Sequence, residues 1–378
     1  MEIIAIIVLV AIGIRFEIEI YKRYILHKLV YECSFSKDEV IEGELVEIVE
    51  LVMNPTSLFV PCLKSEISTS NLLEFAGNAS TVNDQTRSLA SLFSIRGKQK
   101  VKRVWKVRTL QRGAFRLLDT TVIASDLFGC YHYSNILRLN SELIVLPKPI
   151  DVSGYIQKVK EIQGDRVVKR FILEDPFVIA GVREYTSRDS MNKIHWGITA
   201  RAGQLMVRNN EATSKKSLTV IVNNQLTSEQ LNEPMHDERL EYGIRVAAGL
   251  LDQTLKDSTP VRLLANGAVD NNGQSLDTYQ MWGKAHVHSQ FVLLARLKNT
   301  FTEHFDKFLD RYESSIQSTE LIIVTCYIDE TILNFIRNKQ RAGISAKVYL
   351  MSYEADSKHY EDVEVYYLLD YLKEVGER

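Results

Sequence analysis

The side chains best suited to chemistry are concentrated in one short stretch, Arg183–Arg201, which is rich in charged and aromatic residues. Asp189 and His195 could form an acid–base pair there, because histidine titrates near neutral pH and a carboxylate commonly orients its ring. No nucleophile convincingly accompanies the pair. The arginines could instead bind an anionic ligand, or form charge-assisted bonds that lock a connector between two domains while Trp196 fills their junction. The sequence favours the structural or interaction role and leaves the other two open.

Motifs of other catalytic centres are missing. The chain contains no GxSxG, HExxH, Walker A or GxGxxG sequence, so it lacks the usual signals for a hydrolase, a zinc protease, a P-loop or a dinucleotide site. His286 and His288 have no third ligand in sight and are expected to be an exposed loop pair. The four cysteines lie far apart without a CxxC, which indicates free thiols in a reducing compartment. Whether the protein is an enzyme stays open, with a non-enzymatic role favoured.

The charge balance argues against nucleic acid as a partner. Lys plus Arg total 46 against 48 for Asp plus Glu, which gives a net charge of -2. Such a chain lacks the global cationic field that would hold a polyanion. A weaker alternative is polyanion binding through a local cluster of basic residues, Arg183, Arg188, Lys193, Arg201 and Arg208.

The N-terminus predicts a membrane anchor of marginal length. The uncharged run Ile3–Ile14 would extend about 18 Å as a helix, short of the roughly 30 Å hydrocarbon core. Continuing to Ile20 lengthens it to about 27 Å but immerses Arg15, Glu17 and Glu19 near one end. Basic residues follow the run, so the positive-inside rule predicts a single-pass anchor in the cell membrane with the body of the protein in the cytoplasm. A buried helix of a soluble domain is the alternative.

Residues 31–149 show mostly period-two hydrophobicity with turn punctuation, the pattern of short antiparallel strands. The predicted strands are Leu45–Val52, Ser57–Ile67, Val101–Leu110 and Phe115–Ile123. Between them, Ser68–Ser94 is rich in Ser, Thr and Asn and predicts a long polar loop or a weakly ordered insertion. An Ig-like β-sandwich is the natural fold for such a region.

After Ser217 the pattern changes to alternating strands and helices. Leu218–Val222 is a continuous apolar run, typical of a strand covered on both faces, and Glu238–Lys256 has the apolar stripe of an amphipathic helix. The further predicted elements are strand Val261–Ala265, helix Ser289–Tyr312, strand Leu321–Cys326, helix Glu330–Arg341 and strand Ala346–Leu350. Such alternation predicts a parallel doubly wound sheet, whose ligands lie beyond the carboxyl ends of its strands.

Between these regions the sequence predicts a connector with a short helix. Ser187, Asp189 or Ser190 could cap a helix that runs toward Ala200, and Gly203 stands where a left-handed C-terminal residue is wanted. The expected fold is therefore a multidomain α+β chain. It consists of an N-terminal membrane helix (1–28), an antiparallel β-sandwich-like domain (29–150), the connector (151–211) and a C-terminal α/β domain (212–378).

The connector carries residues in a pattern found elsewhere. They are Arg183, Glu184, Tyr185, Asp189, Ile194, His195, Trp196, Ala200 and Arg201, followed by Gly203, Leu205 and Val207. The pattern resembles the hallmark of the DUF58 family of bacterial and archaeal proteins, R-E-Y, then G-D, then R-x-I-[HD]-W, then S-A-R-x-G-x-L-x-V. Arg188 and Lys193 depart from the family's glycine and arginine. Upstream, Arg112–Phe115 and Ser125–Gly129 resemble the family's R-G-x-Y and D-P-F-G elements, with Leu127 where proline is usual.

The resemblance implies a membrane-linked protein with a β-rich N-terminal portion and a C-terminal von Willebrand factor A-like domain of Rossmann type. Such proteins are commonly encoded beside MoxR-type AAA+ ATPases and transglutaminase-like membrane proteins, which are therefore the expected partners. The motif residues are expected to form a signature or interaction surface rather than a catalytic site.

The resemblance also raises the question of a metal site. A functional von Willebrand factor A domain ends its first strand in D-x-S-x-S, because a hard divalent ion binds carboxylate and hydroxyl oxygens on one rigid loop. Here the corresponding place reads Asn223-Asn224-Gln225-Leu226-Thr227, so the aspartate is Asn223 and the first serine is Gln225. The lost anionic charge predicts a degenerate site, including Thr227, without magnesium or another cofactor.

These features predict a membrane-tethered, non-enzymatic adaptor. Its expected partner is a MoxR-type AAA+ ATPase, docked in the assembly or remodelling of a cell-envelope complex. The alternative is an enzyme or an anionic-ligand-binding protein that uses the Arg183–Arg201 cluster.

Overall fold

In the computed structural model of the chain, the described residues are 2–77, 80–83, 86–163, 179–186, 191, 194–210, 216–231, 237–269, 273–356, 358, 360 and 362–376. The chain divides into two compact units. The first contains residues 1–148 with 291–296, and the second contains residues 149–290 with 297–378. Together with the elements below, this makes the protein a multidomain α+β chain.

The chain begins with an apolar helix. This helix, α1, is Glu2–Ile20, and it continues into a π-helical turn, Tyr21–Ile25, and a 3-10 turn, Leu26–Lys28. Every side chain from Ile3 to Gly13 is exposed. Within the described parts of the chain, no helix is both long and apolar enough to span a membrane. Arg15, Glu17 and Glu19 lie in the last turns of α1 and shorten its apolar part. The predicted membrane-spanning helix is therefore not supported.

The first unit is built of short strands. They are β1 Val30–Phe35, β2 Glu39–Ile41, β3 Leu45–Met53, β4 Val60–Ser70, β5 Leu73–Phe75, β6 Ser80–Val82, β7 Thr86–Ile95, β8 Lys100–Thr109, β9 Gly113–Arg116, β10 Thr120–Ser125, β11 His132–Leu137 and β12 Glu142–Leu146. One antiparallel sheet has the order β1-β3-β8-β5 and a second has the order β11-β10-β4-β7-β6. β12 pairs in parallel with β2 and antiparallel with β9. The predicted antiparallel, β-rich region is confirmed.

Both antiparallel sheets contribute to one hydrophobic core. Ile48 and Val52 come from the first sheet and Leu63 and Leu89 from the second, and all four side chains are fully buried. Their spacing follows the alternation of inward and outward residues along each strand. Two sheets that share an apolar interior in this way stabilise each other by burying their inner faces.

The polar loop predicted over Ser68–Ser94 is wrong. This stretch contains β5, β6 and most of β7, and β7 pairs along β4. Leu73, Phe75 and Leu89 are buried, while most of the Ser and Thr residues alternate with them on less buried faces. Threonine is also a good strand former, so a polar composition alone does not exclude a strand. The predicted strand Phe115–Ile123 is likewise divided into β9 and β10.

From Pro149 onward, helices and strands alternate. The elements are α2 Ser153–Gln163, β13 Ile179–Glu184, α3 Trp196–Ala202, β14 Met206–Asn210, β15 Leu218–Val222, α4 Glu238–Lys256, β16 Val261–Val269, β17 Ser275–Asp277, α5 Lys284–Arg296, β18 Leu297–Phe301, α6 Phe305–Tyr312, β19 Glu320–Thr325, α7 Glu330–Arg341, β20 Ser345–Leu350, β21 Glu364–Tyr367 and α8 Leu369–Gly376. Short 3-10 turns occur at Glu313–Ser315 and Glu354–Asp356. β13 and β14 form a separate antiparallel hairpin.

The main sheet of the second unit is doubly wound. Its strand order is β17-β16-β15-β19-β20-β21, and β18 also pairs with β16. The strands from β16 to β21 along this order run in parallel, whereas β17 and β18 run antiparallel to β16. All five residues of β15 are buried, as expected for a central strand covered on both faces. The predicted strand β15 and the predicted helices α4 and α7 are confirmed.

The long helix predicted over Ser289–Tyr312 is wrong. α5 ends at Arg296, and the chain then forms β18 before α6 begins at Phe305. Leu297 and Phe301 are buried and lie in register with residues of β16, so pairing with a neighbouring strand outweighs local helical periodicity. His286 and His288 lie on α5, so their predicted placement in an exposed loop is also wrong.

Candidate functional site

The signature motif folds as a hairpin with a short helix. β13 and β14 pair antiparallel, with Glu184 opposite Met206 and Val182 opposite Arg208. The backbone N–H of Tyr185 extends the pairing by donating to the carbonyl of Leu205 at 2.9 Å. α3 lies between the two strands in sequence. We call this group, residues 179–186 and 194–210, the signature element.

His195 is the N-cap of the helix in the signature element. Its Nδ1 accepts a hydrogen bond from the backbone N–H of Ile198 at 3.4 Å, and α3 begins at the next residue, Trp196. Gly203 ends the helix in the predicted left-handed conformation, with φ of 71°. The predicted caps Ser187, Asp189 and Ser190 lie outside the described residues, and the position of His195 shows that the prediction was wrong. An Nδ1 that accepts a backbone N–H fixes the ring for a structural purpose.

The other motif residues differ in their burial. Ile194 is buried, and it bridges to the equally buried Val207. Arg183 and Glu184 are exposed, and Glu184 Oε1 accepts from Gln204 Nε2 at 2.9 Å. Ala200 and Arg201 are exposed as well.

Two expectations for the motif have different outcomes. Asp189 lies outside the described residues, as do Arg188 and Lys193, so the acid–base pair and the arginine–aspartate lock stay predictions. Trp196 was expected to be packed, but its side chain is 65% exposed.

A second candidate site lies at the carboxyl ends of the central strands of the doubly wound sheet. β15 has β16 on one side and β19 on the other, so the sheet order changes direction between β15 and β19. Crevices at such switch points are the usual ligand sites of open α/β sheets. Here the place is taken by side-chain amides, which we call the amide cluster: Asn223, Asn224, Gln225 and Asn266. All four residues are at most 2% exposed.

Asn223 connects the ends of the two central strands. Its Nδ2 donates to Thr325 Oγ1 at 3.0 Å, at the buried carboxyl end of β19. Its Oδ1 accepts the backbone N–H of Gln225 at 3.0 Å, and its own backbone N–H donates to the carbonyl of Val324 at 2.9 Å. Both ends of this amide side chain are therefore used inside the protein.

Asn266 links the loop after β15 to the neighbouring strand. Its Oδ1 accepts the backbone N–H of Asn224 at 2.7 Å, and its Nδ2 donates to Gln225 Oε1 at 3.3 Å. Asn224 Nδ2 in turn donates to the carbonyl of Lys298 at 2.9 Å. The cluster thus connects β15, β16 and the start of β18 through side-chain amides.

Gln225 satisfies the first turn of α6. Its Oε1 accepts the backbone N–H of Phe305 at 2.7 Å, the first residue of that helix, and its Nε2 lies 3.3 Å from His304 Nδ1. His304, the N-cap residue itself, makes no side-chain cap. Gln225 therefore supplies an acceptor that a helix N-terminus requires.

The amide cluster does not fit a divalent metal ion. Hard cations prefer carboxylate and hydroxyl oxygens, and no carboxylate stands at Asn223 or Gln225. The side-chain oxygens of both residues already accept backbone N–H groups, Thr227 is exposed, and Asp329 caps α7 by accepting from Ile332 N at 2.9 Å. The absence of magnesium stays a prediction that rests on this donor set.

The space beside the amide cluster is small. A cavity of about 10 Å³ is lined by Asn223, Thr325, Cys326, Arg239 and other residues, enough for about one water molecule. Burial raises the pKa of Cys326 to about 12, although the nearby Arg239 opposes the shift. A protonated thiol in a space of this size is suited to packing rather than to nucleophilic chemistry.

A wider groove opens next to this cavity, with a volume of about 470 Å³. Arg239 and Asp237 in its wall form an ion pair, with Nη2 and Oδ2 2.8 Å apart. The hydrogen bond from Arg239 holds the pKa of Asp237 below its usual value. Lys373 and Tyr353, also in the wall, are hydrogen-bonded to each other. These charged groups are engaged with each other, so they do not define a ligand.

The second unit also carries an exposed aromatic segment, residues 279–282, between β17 and α5. Tyr279, Met281 and Trp282 are 86%, 54% and 69% exposed. Backbone hydrogen bonds between Met281 and Val261, at 2.9 and 3.3 Å, attach the segment to the edge of the sheet. The segment therefore presents large side chains from a fixed backbone.

Sequence reasoning found the loop after β15 but missed most partners of its residues. Asn266, His304 and Thr325 belong to other segments, and nothing in the loop's own pattern points to them. One available signal was Asn266, a polar residue within an apolar strand. It follows Ala265, which is paired with Val222 at the carboxyl end of β15, so it indicates a buried polar contact there. For the exposed aromatic segment, the signal was a Tyr and a Trp between two elements, outside any apolar periodicity.

Comparison with protein families identifies the signature region. Residues 181–272 match the family model DUF58, described as a protein of unknown function. This region therefore belongs to the DUF58 family. The match begins in the signature element and extends through the amide-cluster loop, α4 and β16. The chain has no significant match among curated proteins.

Solved structures similar to this DUF58 protein cover about a third of it. The CARDB domain of a Pyrococcus furiosus protein is 16% identical, over 31% of this chain and 85% of its own, with a TM-score of 0.20. A non-cellulosomal cohesin from Archaeoglobus fulgidus is 13% identical, over 35% and 97%, with a TM-score of 0.22. A type II cohesin domain from Acetivibrio cellulolyticus is 12% identical, over 31% and 94%, with a TM-score of 0.23. TM-scores this low support no conclusion about function.

Proposed function

We propose that this DUF58 protein is a non-enzymatic adaptor that docks a protein partner on its second unit and is attached to a membrane by α1. The observation that carries the proposal is the exposed aromatic segment, with Tyr279, Met281 and Trp282 in succession at the surface. Tyr, Trp and Met are enriched in protein interfaces, where they account for much of the binding energy. Contiguous exposed side chains of this kind mark interaction surfaces.

The backbone of the exposed aromatic segment supports docking without a large ordering cost. Met281 is hydrogen-bonded to Val261 in β16, and Gly283 turns the chain into α5 with φ of 108°. A surface that is ordered before binding loses less conformational entropy on association.

The amide cluster and the cap in the signature element support a non-enzymatic role. The side-chain oxygens of Asn223 and Gln225 and the Nδ1 of His195 are engaged in hydrogen bonds with the protein backbone. A metal ligand needs such an oxygen to be available, and the Nδ1 of His195 is used for the helix cap. These residues stabilise loops and helix ends instead.

The proposed partner is a MoxR-type AAA+ ATPase, with a transglutaminase-like membrane protein as a further component of the same assembly. This choice rests on the family resemblance. The parallel sheet with an antiparallel edge strand, β17, supports a von Willebrand factor A-like assignment for the second unit.

Attachment to a membrane is proposed for the apolar part of α1. Side chains from Ile3 to Gly13 are exposed on every face of the helix, an arrangement that is unfavourable in water and favourable in lipid. Lys22, Arg23 and Lys28 follow this segment, which suits a cytoplasmic position for the body of the protein.

Affinity capture with a MoxR-type AAA+ ATPase, the proposed partner, tests the docking proposal. The full chain in detergent should capture the ATPase, and Tyr279→Ala with Trp282→Ala should weaken capture about tenfold or more. Leu92→Ala is the matched control, because Leu92 is 63% exposed but belongs to the first unit. The proposal is wrong if the wild type captures no ATPase with or without ATP, or if the aromatic variant binds as well as the control.

Vesicle flotation tests the attachment separately. The full chain should float with vesicles that contain anionic lipid, and a chain that lacks residues 2–14 should remain at the bottom of the gradient. Equal flotation of both chains would contradict the attachment through α1 without affecting the docking proposal.

A further inference from the structure

The base of α1 contacts the first unit through polar groups. Glu17 Oε1 accepts the backbone N–H of Leu127, just after β10, at 2.8 Å. One turn later, Tyr21 is buried and its hydroxyl donates to the carbonyl of Phe59 at 2.6 Å. The exposed apolar part of the helix therefore continues into a segment that is held by specific hydrogen bonds.

Asp126 is the unusual group at this contact. Its side chain is fully buried, yet neither of its oxygens has a hydrogen-bond partner among the described residues. The second oxygen of Glu17, Oε2, is also buried and also without a partner in that part of the chain. Buried polar atoms in this state are rare, because each lost hydrogen bond to water destabilises the fold.

Asp126 directly precedes Leu127, whose N–H binds Glu17, so the two carboxyl groups belong to the same contact. Burial raises the pKa of Glu17, and the charge of Asp126 raises it further, while the hydrogen bond from the N–H of Leu127 acts in the opposite direction. Two carboxylates that share a dry site cannot both be ionised without a large repulsion. One proton between them provides the missing donor.

The surrounding charged groups do not replace that proton. Lys22 Nζ lies over the ring of Tyr131, 5.9 Å from its centroid, and Arg23 pairs with the exposed Glu19. The pKa of Tyr21 is raised by burial and by the charges of the two carboxyl groups, so its hydroxyl stays neutral. Other titratable groups of the described residues near this contact include the exposed Arg15, Cys130 and His132, His27 against the ring of Tyr133, and Cys62 opposite Ser125.

We propose that Glu17 and Asp126 share one proton and form a pH-dependent latch that holds the base of α1 on the first unit. With the proton in place, the Glu17 carboxyl donates to Asp126 and the buried oxygens are paired. Without it, two negative charges face each other and the contact weakens. The latch does not depend on the proposed docking function, because it concerns only how the helix is held.

The sign of the pH dependence follows from the raised pKa. Glu17 binds its proton more tightly in the attached state than in the detached state, where the ordinary value of 4.5 applies. The stabilisation is therefore complete below that value and is lost as the pH rises through the raised pKa of the attached state. Mild acid should tighten the latch, and neutral or alkaline conditions should loosen it.

Conservative variants separate the shared proton from simple packing. In Glu17→Gln, the amide can donate to Asp126 and its carbonyl can still accept from Leu127, so the contact should no longer depend on pH. Asp126→Asn can likewise donate to Glu17. Glu19→Gln is the matched control, because Glu19 lies on the same helix but is exposed.

Amide hydrogen exchange of the full chain in detergent tests the latch. After correction for intrinsic exchange rates, the wild-type peptide that contains Leu127 should exchange about tenfold faster at about pH 8 than at about pH 5. Glu17→Gln should remove this difference, and Glu19→Gln should retain it. The proposal is wrong if wild type shows no pH dependence or if Glu17→Gln behaves like wild type.

Infrared spectroscopy provides a second readout that does not depend on helix motion. As the pH is lowered into the mildly acidic range, the wild type should show the carbonyl stretch of a buried protonated carboxylic acid, which is lost in both Glu17→Gln and Asp126→Asn. Absence of that band from wild type would contradict the shared proton. Added calcium that tightens the contact at constant pH would also contradict it, because the pair would then bind a cation instead.

Discussion

Two buried polar clusters stabilise the two units by different means. In the first unit, Glu50 is fully buried and accepts four hydrogen bonds, from Tyr31, Ser65, Ser91 and Trp105, at 2.6 to 2.8 Å. Tyr31 and Trp105 belong to one antiparallel sheet, and Ser65 and Ser91 belong to the other. A single acceptor therefore joins both sheets of the first unit.

The amide cluster of the second unit distributes the same task over several neutral groups. The side chains of Asn223, Gln225 and Asn266 each donate and accept, that of Asn224 donates, and several of these bonds go to backbone atoms. All four hydrogen bonds of the Glu50 cluster end on one carboxyl group, so the cluster depends on one residue. A network of amides loses only part of its bonds when one member is removed. The comparison predicts a larger penalty for losing Glu50 than for losing any single amide.

Removal of the central carboxylate should have the largest effect. Glu50→Ala leaves four donors without an acceptor, three of them on buried residues, at about 1 to 3 kcal/mol for each unsatisfied buried group, so the free energy of unfolding should fall by about 4 kcal/mol or more. Urea denaturation of the full chain measures the change. Glu47→Ala is the control on the same strand, where the exposed side chain should contribute about 0.5 kcal/mol or less. Equal losses in both variants would contradict the role of Glu50.

Removal of one amide should have an intermediate effect. Asn266→Ala deletes the acceptor for Asn224 N and one donor to Gln225, while Gln225 keeps its bond from Phe305. We expect a loss of about 2 kcal/mol in the free energy of unfolding, measured in urea. Asn334→Ala, at an exposed position of α7, serves as the control. A loss as large as that of Glu50→Ala would remove the contrast between the clusters.

A carboxylate placed in the amide cluster tests whether it can act as a metal site. Asn223→Asp removes the donor to Thr325 Oγ1 and buries an acidic group, which should lower the free energy of unfolding by about 2 kcal/mol. Magnesium should not restore this loss, because Gln225 Oε1 remains bonded to Phe305 N. Thermal melts with and without magnesium check the expectation. Stabilisation of the variant by magnesium would show that the position retains the geometry of a cation site.

The buried thiols beside the two clusters should give the smallest effect. Burial raises the pKa of Cys33 from 9.0 to about 12, and the charge of Glu50 adds to the shift. The thiol proton is therefore held more tightly in the folded chain, and the associated stability is present below about pH 9 and is lost as the pH rises toward 12. Loss at about pH 10 should be about 1 kcal/mol.

Urea midpoints between about pH 8 and about pH 10 measure this decline, which Cys33→Ala should reduce. Cys130→Ala is the control, since that thiol is exposed. Arg239→Ala should further raise the pKa of Cys326 but leave that of Cys33 unchanged, because the Cys33 pKa is shifted by burial, Glu50 and Tyr31. An unchanged pH profile in Cys33→Ala would show that the thiol does not contribute.

The sequence predicted those elements whose hydrophobic period is regular. β15, α4 and α7 were found because a continuous apolar run or a 3.6-residue stripe reports directly which faces are buried. The predictions failed in segments rich in polar residues. Ser68–Ser94 contains strands instead of a loop, and the helix of the signature element begins at Trp196 instead of near Asp189. Local composition does not report the pairing of distant strands.

For the candidate sites, the sequence indicated the loop from Asn223 to Thr227 and the DUF58 signature. It did not indicate that Asn266 would meet Asn224 from 42 positions away, or that Phe305 would donate to Gln225 from 80 positions away. Those contacts depend on the order of the strands in the sheet.

The sequence by itself determined the resemblance of the signature region to its family and the alternation of β-rich and α/β regions, and it placed Glu50 in one strand with Val46, Ile48 and Val52. Only the tertiary structure decided which donors meet that carboxylate, which amides close the switch point, and that Asp126 faces Glu17. The physical reason is that periodicity along one element fixes the face on which a side chain lies. Strand order and register across elements fix the partner that it meets there.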